Sequence, residues 1–401
     1  MKLVMQVRLL PTPAQASALE RTIQACNEAA SWAAEVACAK EVYRNFDLRR
    51  HTYAEVKARW GLGAQAAQHV IKKAADACTS MRAKLRAGRR RGSDSRGRLQ
   101  ASGKPPTFRS DAAQPYDDRM LSWQIEARTV SIWTTSGRLK GVSIAAGVEQ
   151  FATLASHRQG ESDLLYRDGG WYLLAPCEVP EAVLNAEPAD FLGVDLGIVN
   201  IATTSDGQIM AGRRLNRLRR RDRALRGKLQ RKGTKSAKRR ARRRRRKESR
   251  RSRDINHKIA KHIVAEAERT GRGIGLEDLT GIRERVRLRK PQRVTLHSWA
   301  FAQLGEFIAY KARRAGVPVV HVDPAYTSLT CSRCGHVDKA NRASQARFAC
   351  RSCGFVDHAD RNGSRNIRAR AQMLWRSGAP SPAPAVPHQR DGRTRAVRHS
   401  Q

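Results

Sequence analysis

The spacing at which apolar residues return changes twice along the chain, and each change marks a different kind of packing. Residues 2–10 alternate weakly between apolar and polar, which predicts a short strand. Thr12-Pro13-Ala14-Gln15 then has the order of a helix start, with Thr as N-cap, Pro at the first helical position and Gln three residues after the cap. Leu19, Ile23, Cys26, Ala30, Ala33 and Ala37 recur at helical spacing to about Tyr43, and a second helical pattern runs from Ala64 to about Leu85. The first hundred residues therefore read as a helical insert after one strand. The insert ends in a basic run from Arg86 to Arg91 and a Gly/Ser/Pro linker.

From Met120 to Val179 the period falls towards two. Strands are predicted at Val130 to Trp133, Leu139 to Ile144 and Phe151 to Leu154, then at Leu164 to Tyr166 and Trp171 to Leu174 about an Asp168-Gly169-Gly170 turn. This is a small antiparallel, barrel-like β domain completed by the strand at residues 2–10. Its aromatics Trp123, Trp133, Tyr166, Trp171 and Tyr172 are read as core first and as base-stacking surfaces second.

A third pattern opens near Phe191. FLGVDLGIVNIATTSDGQIM predicts three strands with a Ser205-Asp206-Gly207 hairpin turn, and it places Asp195 in the middle of the first. A carboxylate among Leu192, Val194 and Leu196 is costly to bury unless it is paired or holds a metal, and Gly193 and Gly197 beside it imply close approach by something large. Asp254 to Arg269 predicts a helix with one apolar face. Its His257 and His262 are five apart, a spacing that suits packing or phosphate contact and not a metal pair on one face. GIGLEDL at 273–279 is the next strand, ending in Glu277 and Asp278. A basic loop follows from Arg283 to Arg293, then a helix from about Ser298 to Ala315 with Trp299 inward, a Gly316 stop, and a strand from Val317 to Val322.

Charge changes the picture from a fold to a partner. Lys plus Arg number 78 against 36 acidic residues among 401, a formal net charge of +42. That excess demands a polyanion and predicts salt-dependent binding through counterion release. Lys and Arg fill more than half of the positions from 213 to 253, with sparse leucines at 215, 218, 225 and 229, so helices laid along a phosphate backbone are expected there. No apolar run approaches the roughly 20 residues of a spanning helix. With no secretory cleavage site at the amino terminus, the expected location is the cytosol of a bacterial-type cell, with no membrane partner.

Cys331-x-x-Cys334 and Cys350-x-x-Cys353 stand fifteen residues apart, each hook closed by a glycine, Gly335 or Gly354. Two such hooks predict one structural four-cysteine zinc site, a ribbon closed to substrate. Cys26, Cys38, Cys78 and Cys177 lie in apolar surroundings and are read as buried free thiols.

The element order of the third region, three antiparallel strands, helix, strand, helix, strand and final helix, is that of a ribonuclease H-like fold. There, acidic residues from the first strand, a later strand end and the last helix meet at one rim. Asp195, Glu277 and Asp360 occupy those three places, whereas Asp278 and Asp357 are read as surface charge. Hard oxygen ligands suit Mg²⁺ or Mn²⁺, expected as a pair of ions for phosphodiester hydrolysis.

From about Phe191 to Ile367 the chain resembles the OrfB/TnpB family, the compact RNA-guided nucleases of insertion sequences, kin to type V CRISPR effectors. The resemblance rests on GVDLG at 193–197, DINHKIAK at 254–261, GLEDL at 275–279, YTSLTCSRCG at 326–335 and HADRNGSRNI at 358–367. It implies a multidomain α+β chain: a wedge-type β-barrel (residues 1–10 and 101–187) carrying a helical recognition insert (11–100), then a RuvC-like nuclease core (188–325 and 356–376, with the Arg-rich segment 213–253 inside it). A zinc ribbon (326–355) is inserted in that core, and a disordered tail (377–401) follows. It further implies a guide RNA made from the transposon end, target DNA beside a short motif, and a separate transposase from the same element. One departure is Gly363-Ser364, where the family usually has two alanines; a glycine weakens a helix start. Two alternatives stay beside this reading, a guide-directed DNA-binding protein without cleavage and a conventional strand-transfer transposase using the same acidic triad. A simple basic zinc-ribbon RNA-binding or chromatin-like protein is a weaker third.

Overall fold

The computed structural model describes residues 1–90, 104–279 and 301–378, save the side chains of residues 84, 87–90 and 301. The expected linker beyond residue 90, the basic loop at 283–293, the helix start at 298–300 with Trp299, and the tail past 378 lie outside the described residues. The chain divides into two compact units, Met1–Val179 and Pro180–Gln389.

In the first unit the opening strand becomes the centre of a sheet. β1 (Lys2–Leu10), β2 (Gln114–Tyr116), β3 (Leu121–Gln124), β4 (Thr129–Thr134), β5 (Gly137–Ala145), β6 (Ser162–Arg167) and β7 (Gly170–Glu178) form a seven-stranded, near-barrel sheet in the order β2-β6-β7-β1-β5-β4-β3. β1 pairs antiparallel with β7 from Lys2↔Glu178 to Leu9↔Trp171. The β6–β7 hairpin turns through Asp168 and Gly169, both with positive φ (58° and 79°), as a tight two-residue connection requires. The segment from Phe151 to Leu154 is not a strand. It lies in helix α4 (Val148–His157; α1 to α3 are given next), whose start is capped by the Gln150 side chain accepting from the Gly147 N–H at 2.9 Å. Phe151 and Leu154 stand three apart, which puts them on one face of a helix but on opposite faces of a strand.

The helices of this unit are α1 (Pro13–Ala39), α2 (Asn45–Trp60) and α3 (Ala64–Arg90). The capping box at Thr12 and Gln15 is formed as read. α1 stops at Ala39, short of Tyr43, because Glu41 turns left-handed at φ 55°. α2 was not legible: only Leu48, Thr52 and Val56 are buried along it, a narrow stripe that includes a threonine. Of the five aromatics singled out, Trp171 is buried and Tyr166 is exposed beside it, their ring centroids 5.0 Å apart. Cys26, Cys78 and Cys177 are buried whereas Cys38 is only half-buried; burial pushes the Cys26 and Cys78 thiols up to about 12, so these two sulfurs are inert packing groups.

The second unit is built on a five-stranded sheet of order β10-β9-β8-β11-β12. Its strands are β8 (Phe191–Asp195), β9 (Asn200–Thr204), β10 (Ile209–Ala211), β11 (Gly273–Glu277) and β12 (Val319–Val322). β8, β11 and β12 run parallel, whereas β9 and β10 are antiparallel returns. Between β10 and β11 the basic segment forms a helical hairpin, α5 (Arg213–Lys232) and α6 (Lys235–Arg269), so the helix expected at Asp254 is the second half of one continuous element. Gly233 (φ 64°) makes the turn and Thr234 caps α6. Two carboxylates zip the hairpin: Asp222 faces Arg244 and Arg251 at 3.5 and 3.4 Å, and Glu248 accepts from Arg226 at 2.8 Å. His257 stacks on Phe307 at 3.8 Å and His262 meets Gln208 at 2.8 Å, one a packing contact and the other a polar one. α7 (Phe301–Arg314) and α8 (Ala359–Arg376) complete the unit, with β13 (Arg347–Ala349) and β14 (Val356–His358) in the cysteine-rich segment. No helix among the described residues is long and apolar enough to cross a membrane.

Candidate active site and metal centre

Asp195 is the last residue of β8, not its middle, and Glu277 is the last of β11. These parallel neighbours are in register, Leu276 opposite Val194, so both carboxylates leave the same carboxyl edge of the sheet. Asp360 comes from the first turn of α8, whose N-cap His358 accepts from the Asp360 N–H at 3.2 Å. Two glycines make this convergence possible. A Cβ on Gly193 would stand 2.0 Å from the Ser364 carbonyl oxygen and 2.6 Å from the Arg368 nitrogen; one on Gly275 would meet Ala371 Cβ at 2.8 Å. The large thing approaching Gly193 is therefore α8 itself, laid across both strands. At Gly197 it is the chain's own Asn200 carbonyl, at 2.6 Å.

Asp195, Glu277 and Asp360 line one cleft of about 350 Å³, together with Thr327, Arg342 and Gly363. Neither Asp278 nor Asp357 lines it; Asp357 is held by Arg365 and Arg361 at 2.8 and 3.6 Å. Burial pushes the Asp195 carboxyl well above the usual carboxylate range, and the charges of Glu277 and Asp360 push it the same way. Glu277 is also raised, by burial first, against the opposing pull of a hydrogen bond from Thr327 Oγ1 to its Oε1 at 2.5 Å and of Arg370 and Arg342. Asn200 Nδ2 donates to Asp360 Oδ2 at 2.9 Å, and Arg342 Nη2 lies 3.4 Å from Asp360 Oδ1. A cleft that gathers mutually repelling carboxylates fits divalent cations.

The four cysteines also converge. All four Sγ atoms lie within 4.8 Å of one another, with Cys331–Cys353 at 3.7 Å and Cys334–Cys350 at 3.6 Å. A tetrahedral zinc–thiolate site has sulfur–sulfur edges of about 3.8 Å for Zn–S bonds of about 2.3 Å, so the cluster fits that ion. The Cys353 N–H, aimed at the sulfur of Cys350, is the first cause pulling that thiol down to about 6. Gly335 and Gly354 close the hooks at φ 78° and 70°. Asn341 locks the hooks together: its amide nitrogen donates to the Leu329 and His336 carbonyls, and its oxygen accepts from the Arg351 N–H. Among the described residues, this is the one group of His, Cys, Asp or Glu side chains gathered so tightly; the three carboxylates are spread more widely.

Arg342, Thr327 and Asn200 were missed in the sequence. Arg342 is one of 78 cationic residues and carries no local signal. Thr327 lies in the YTSLTCSRCG stretch, and that position was its only clue. The third stretch, HADRNGSRNI, has a second task beyond Asp360. Asn362 Nδ2 donates to the Thr330 carbonyl at 2.7 Å and Asn362 Oδ1 accepts from the Ser332 N–H at 2.9 Å. Asn366 Nδ2 donates to the Thr327 and Thr330 carbonyls. These amides fasten the entry of the cysteine-rich segment to α8.

Two family models match the chain. The OrfB model, described as a probable transposase, matches residues 175–280, and the Cas12f1-like TNB domain matches residues 301–367. Among curated proteins, the chain is similar to the CRISPR-associated endodeoxyribonuclease Cas12f1 of Syntrophomonas palmitatica, 30% identical over 211 residues, which is 48% of this chain and 41% of that protein. It is also similar to a TnpB-like protein of Methanocaldococcus jannaschii, 43% identical over 83 residues, 20% of this chain and 30% of that one. A solved structure of CasPhi-2 (Cas12j) bound to crRNA aligns with 95% of this chain and 99% of that one at a TM-score of 0.49 and 11% identity. Each curated match takes in well under two thirds of the relative's own length. The OrfB match thus takes in β8 to β11, with Asp195 and Glu277, and the Cas12f1-like match takes in the cysteine-rich segment and Asp360.

Proposed function

We propose that the chain is an RNA-guided DNA endonuclease encoded by an insertion sequence, hydrolysing DNA phosphodiesters at targets beside a short DNA motif. The observation that carries this reading is the convergence of Asp195, Glu277 and Asp360, distant in sequence, in one cleft with Arg342. The Cas12f1 relative, named as an endodeoxyribonuclease, supports the reaction class. Asp195, Glu277 and Asp360 would hold Mg²⁺ or Mn²⁺. Bound there, a pair of such ions would supply an ionised water and stabilise the departing oxygen of the cut strand. The chain's own residues orient and neutralise. Thr327 fixes one oxygen of Glu277, Asn200 fixes Asp360, and Arg342 offers a cation where the anionic phosphate would arrive. Cys331, Cys334, Cys350 and Cys353 would hold one structural zinc, keeping Arg342 in place.

Specificity is assigned to a bound RNA made from the transposon end. The α5–α6 hairpin is dense in Arg and Lys but poor in the Asn, Gln and aromatic side chains that read base edges, so it suits a backbone irrespective of sequence. Base pairing to a guide supplies the information instead, and residues 1 to about 190, the wedge and helical insert, are assigned to the short flanking motif. The test is to strip the RNA and supply guides of different sequence beside a fixed motif. Cutting should follow the guide. Cutting at one unchanged site with the guide absent or swapped would favour a conventional strand-transfer transposase, and guide-dependent binding without cutting would favour a binding protein.

A further inference from the structure

The segment between β12 and the first cysteine hook faces two ways. Thr327 is 4% exposed and turns its hydroxyl inward to Glu277, whereas Tyr326, immediately before it, is 63% exposed. The reversal is made by left-handed backbone at Tyr326, φ 60°. A bulky side chain is an outlier in that region, and such conformations persist only where the surroundings over-determine them. They do so here. Arg370 Nη1 donates to the Asp323 and Ala325 carbonyls, both at 2.7 Å, and Asn366 Nδ2 donates to the Thr327 carbonyl. The Tyr326 carbonyl itself accepts from the Leu329 and Thr330 N–H groups.

These contacts explain the turn but not the tyrosine. Where the cysteine hooks need the same sign of φ, the chain uses Gly335 and Gly354, which adopt it without strain. At 326 it carries a largely exposed aromatic ring instead. Among the described residues, that ring and its hydroxyl have no hydrogen-bonding, aromatic or cationic partner. Pro324, Thr327 and Ser328, on either side of it, line the carboxylate cleft, so Tyr326 belongs to the segment that walls the cleft although it is not itself part of the lining.

We propose that Tyr326 is a stacking platform for a nucleobase of the single strand whose phosphate is delivered to the carboxylates. Every base has a π face, so a lone aromatic ring can register a strand without reading its sequence. The left-handed backbone keeps the ring exposed while Thr327 stays on Glu277. This rests on the proposed nuclease reading for the identity of the strand.

The test combines a contact and a rate. The full chain, without added Mg²⁺, is irradiated with a twenty-nucleotide oligothymidylate carrying 5-iododeoxyuridine, and the cross-linked peptides are mapped by mass spectrometry. A cross-link at Tyr326 is expected; cross-links confined to other residues would overturn the proposal. In guided cleavage, Tyr326→Phe should stay within about twofold of the parent. Tyr326→Gly, which suits the left-handed backbone, should melt no lower than the parent yet cut between about fivefold and a hundredfold more slowly. Tyr326→Asn also tolerates this conformation and serves as the second strain-free variant. Stable Gly and Asn variants that cut at the parental rate would make the ring dispensable and end the proposal. A parent that fails to cut with any guide would count against the nuclease reading, and the cross-link would still decide Tyr326.

Discussion

At the scale of single residues the cleft divides into groups that would hold ions and groups that aim them. Asp195→Ala, Glu277→Ala and Asp360→Ala should each abolish cutting while leaving nucleic-acid binding, measured by filter retention, close to normal, because the ligands of one metal unit do not substitute for one another. Asp357→Ala should still cut, since that carboxylate is occupied by Arg361 and Arg365. Thr327→Val removes the hydroxyl on Glu277 at nearly constant volume and should weaken Mn²⁺ affinity in calorimetric titration by roughly 10- to 100-fold, with Thr327→Ser near normal. The raised carboxyls also make stability depend on pH. Asp195 and Glu277 are favoured protonated in the folded chain, so their contribution is present below the ordinary carboxylate range and is lost as pH rises through their raised values. In the absence of Mg²⁺ the melting midpoint should fall over that interval; added Mg²⁺ should restore it, and Asp195→Asn should flatten the dependence.

At the scale of elements, what counts is how closely α8 lies on β8 and β11. Gly193→Ala would drive a methyl into the Ser364 carbonyl, backbone against backbone, with no flexible side chain to give way. A loss of at least about 1–3 kcal/mol is expected, read as a lower melting midpoint, together with a loss of cutting as Asp360 moves away from Asp195. Gly363 is a different case. A Cβ there would stand 3.4 Å from Asp195 Oδ2, and α8 runs unbroken from Ala359 to Arg376 despite the Gly-Ser pair in its second turn. Burial of Ser364 and Ile367 against the sheet, and of Asn362 against the cysteine-rich segment, outweighs the weak intrinsic propensity. On the α5–α6 hairpin, replacing exposed Arg242, Arg243 and Arg245 by Gln should weaken binding about equally for all sequences. The slope of log affinity against log salt should become shallower by about one unit for each phosphate that the variant no longer neutralises.

At the scale of the whole molecule, the cysteine cluster and the carboxylate cleft form one mechanical system within the second unit. Arg342 belongs to the cysteine-rich segment yet lies against Asp360, and Asn362 and Asn366 of α8 hold that segment's entry. One zinc per chain is expected by elemental analysis, and finding none in protein purified without chelator would overturn the assignment. Cys350→Ser should lose the zinc, loosen Arg342 and Thr327 together, and reduce cutting although all three carboxylates remain.

What depends on local spacing was legible along the chain. The capping box at Thr12, the hairpin at Asp168-Gly169, the four-cysteine hooks and the separate strands near Phe191, Gly273 and Val319 could be read because neighbours along the chain decide them. Composition also set the charge, and with it the need for a polyanion. Only the tertiary structure decided what depends on distant partners: that the segment from Phe151 to Leu154 coils as a helix, that α2 exists on three buried side chains, and that Asp195 ends its strand instead of sitting within it. The same holds for Arg342 and Thr327. Their place beside the carboxylates follows from packing the cysteine-rich segment onto α8, a meeting of residues far apart in the chain that no periodicity encodes.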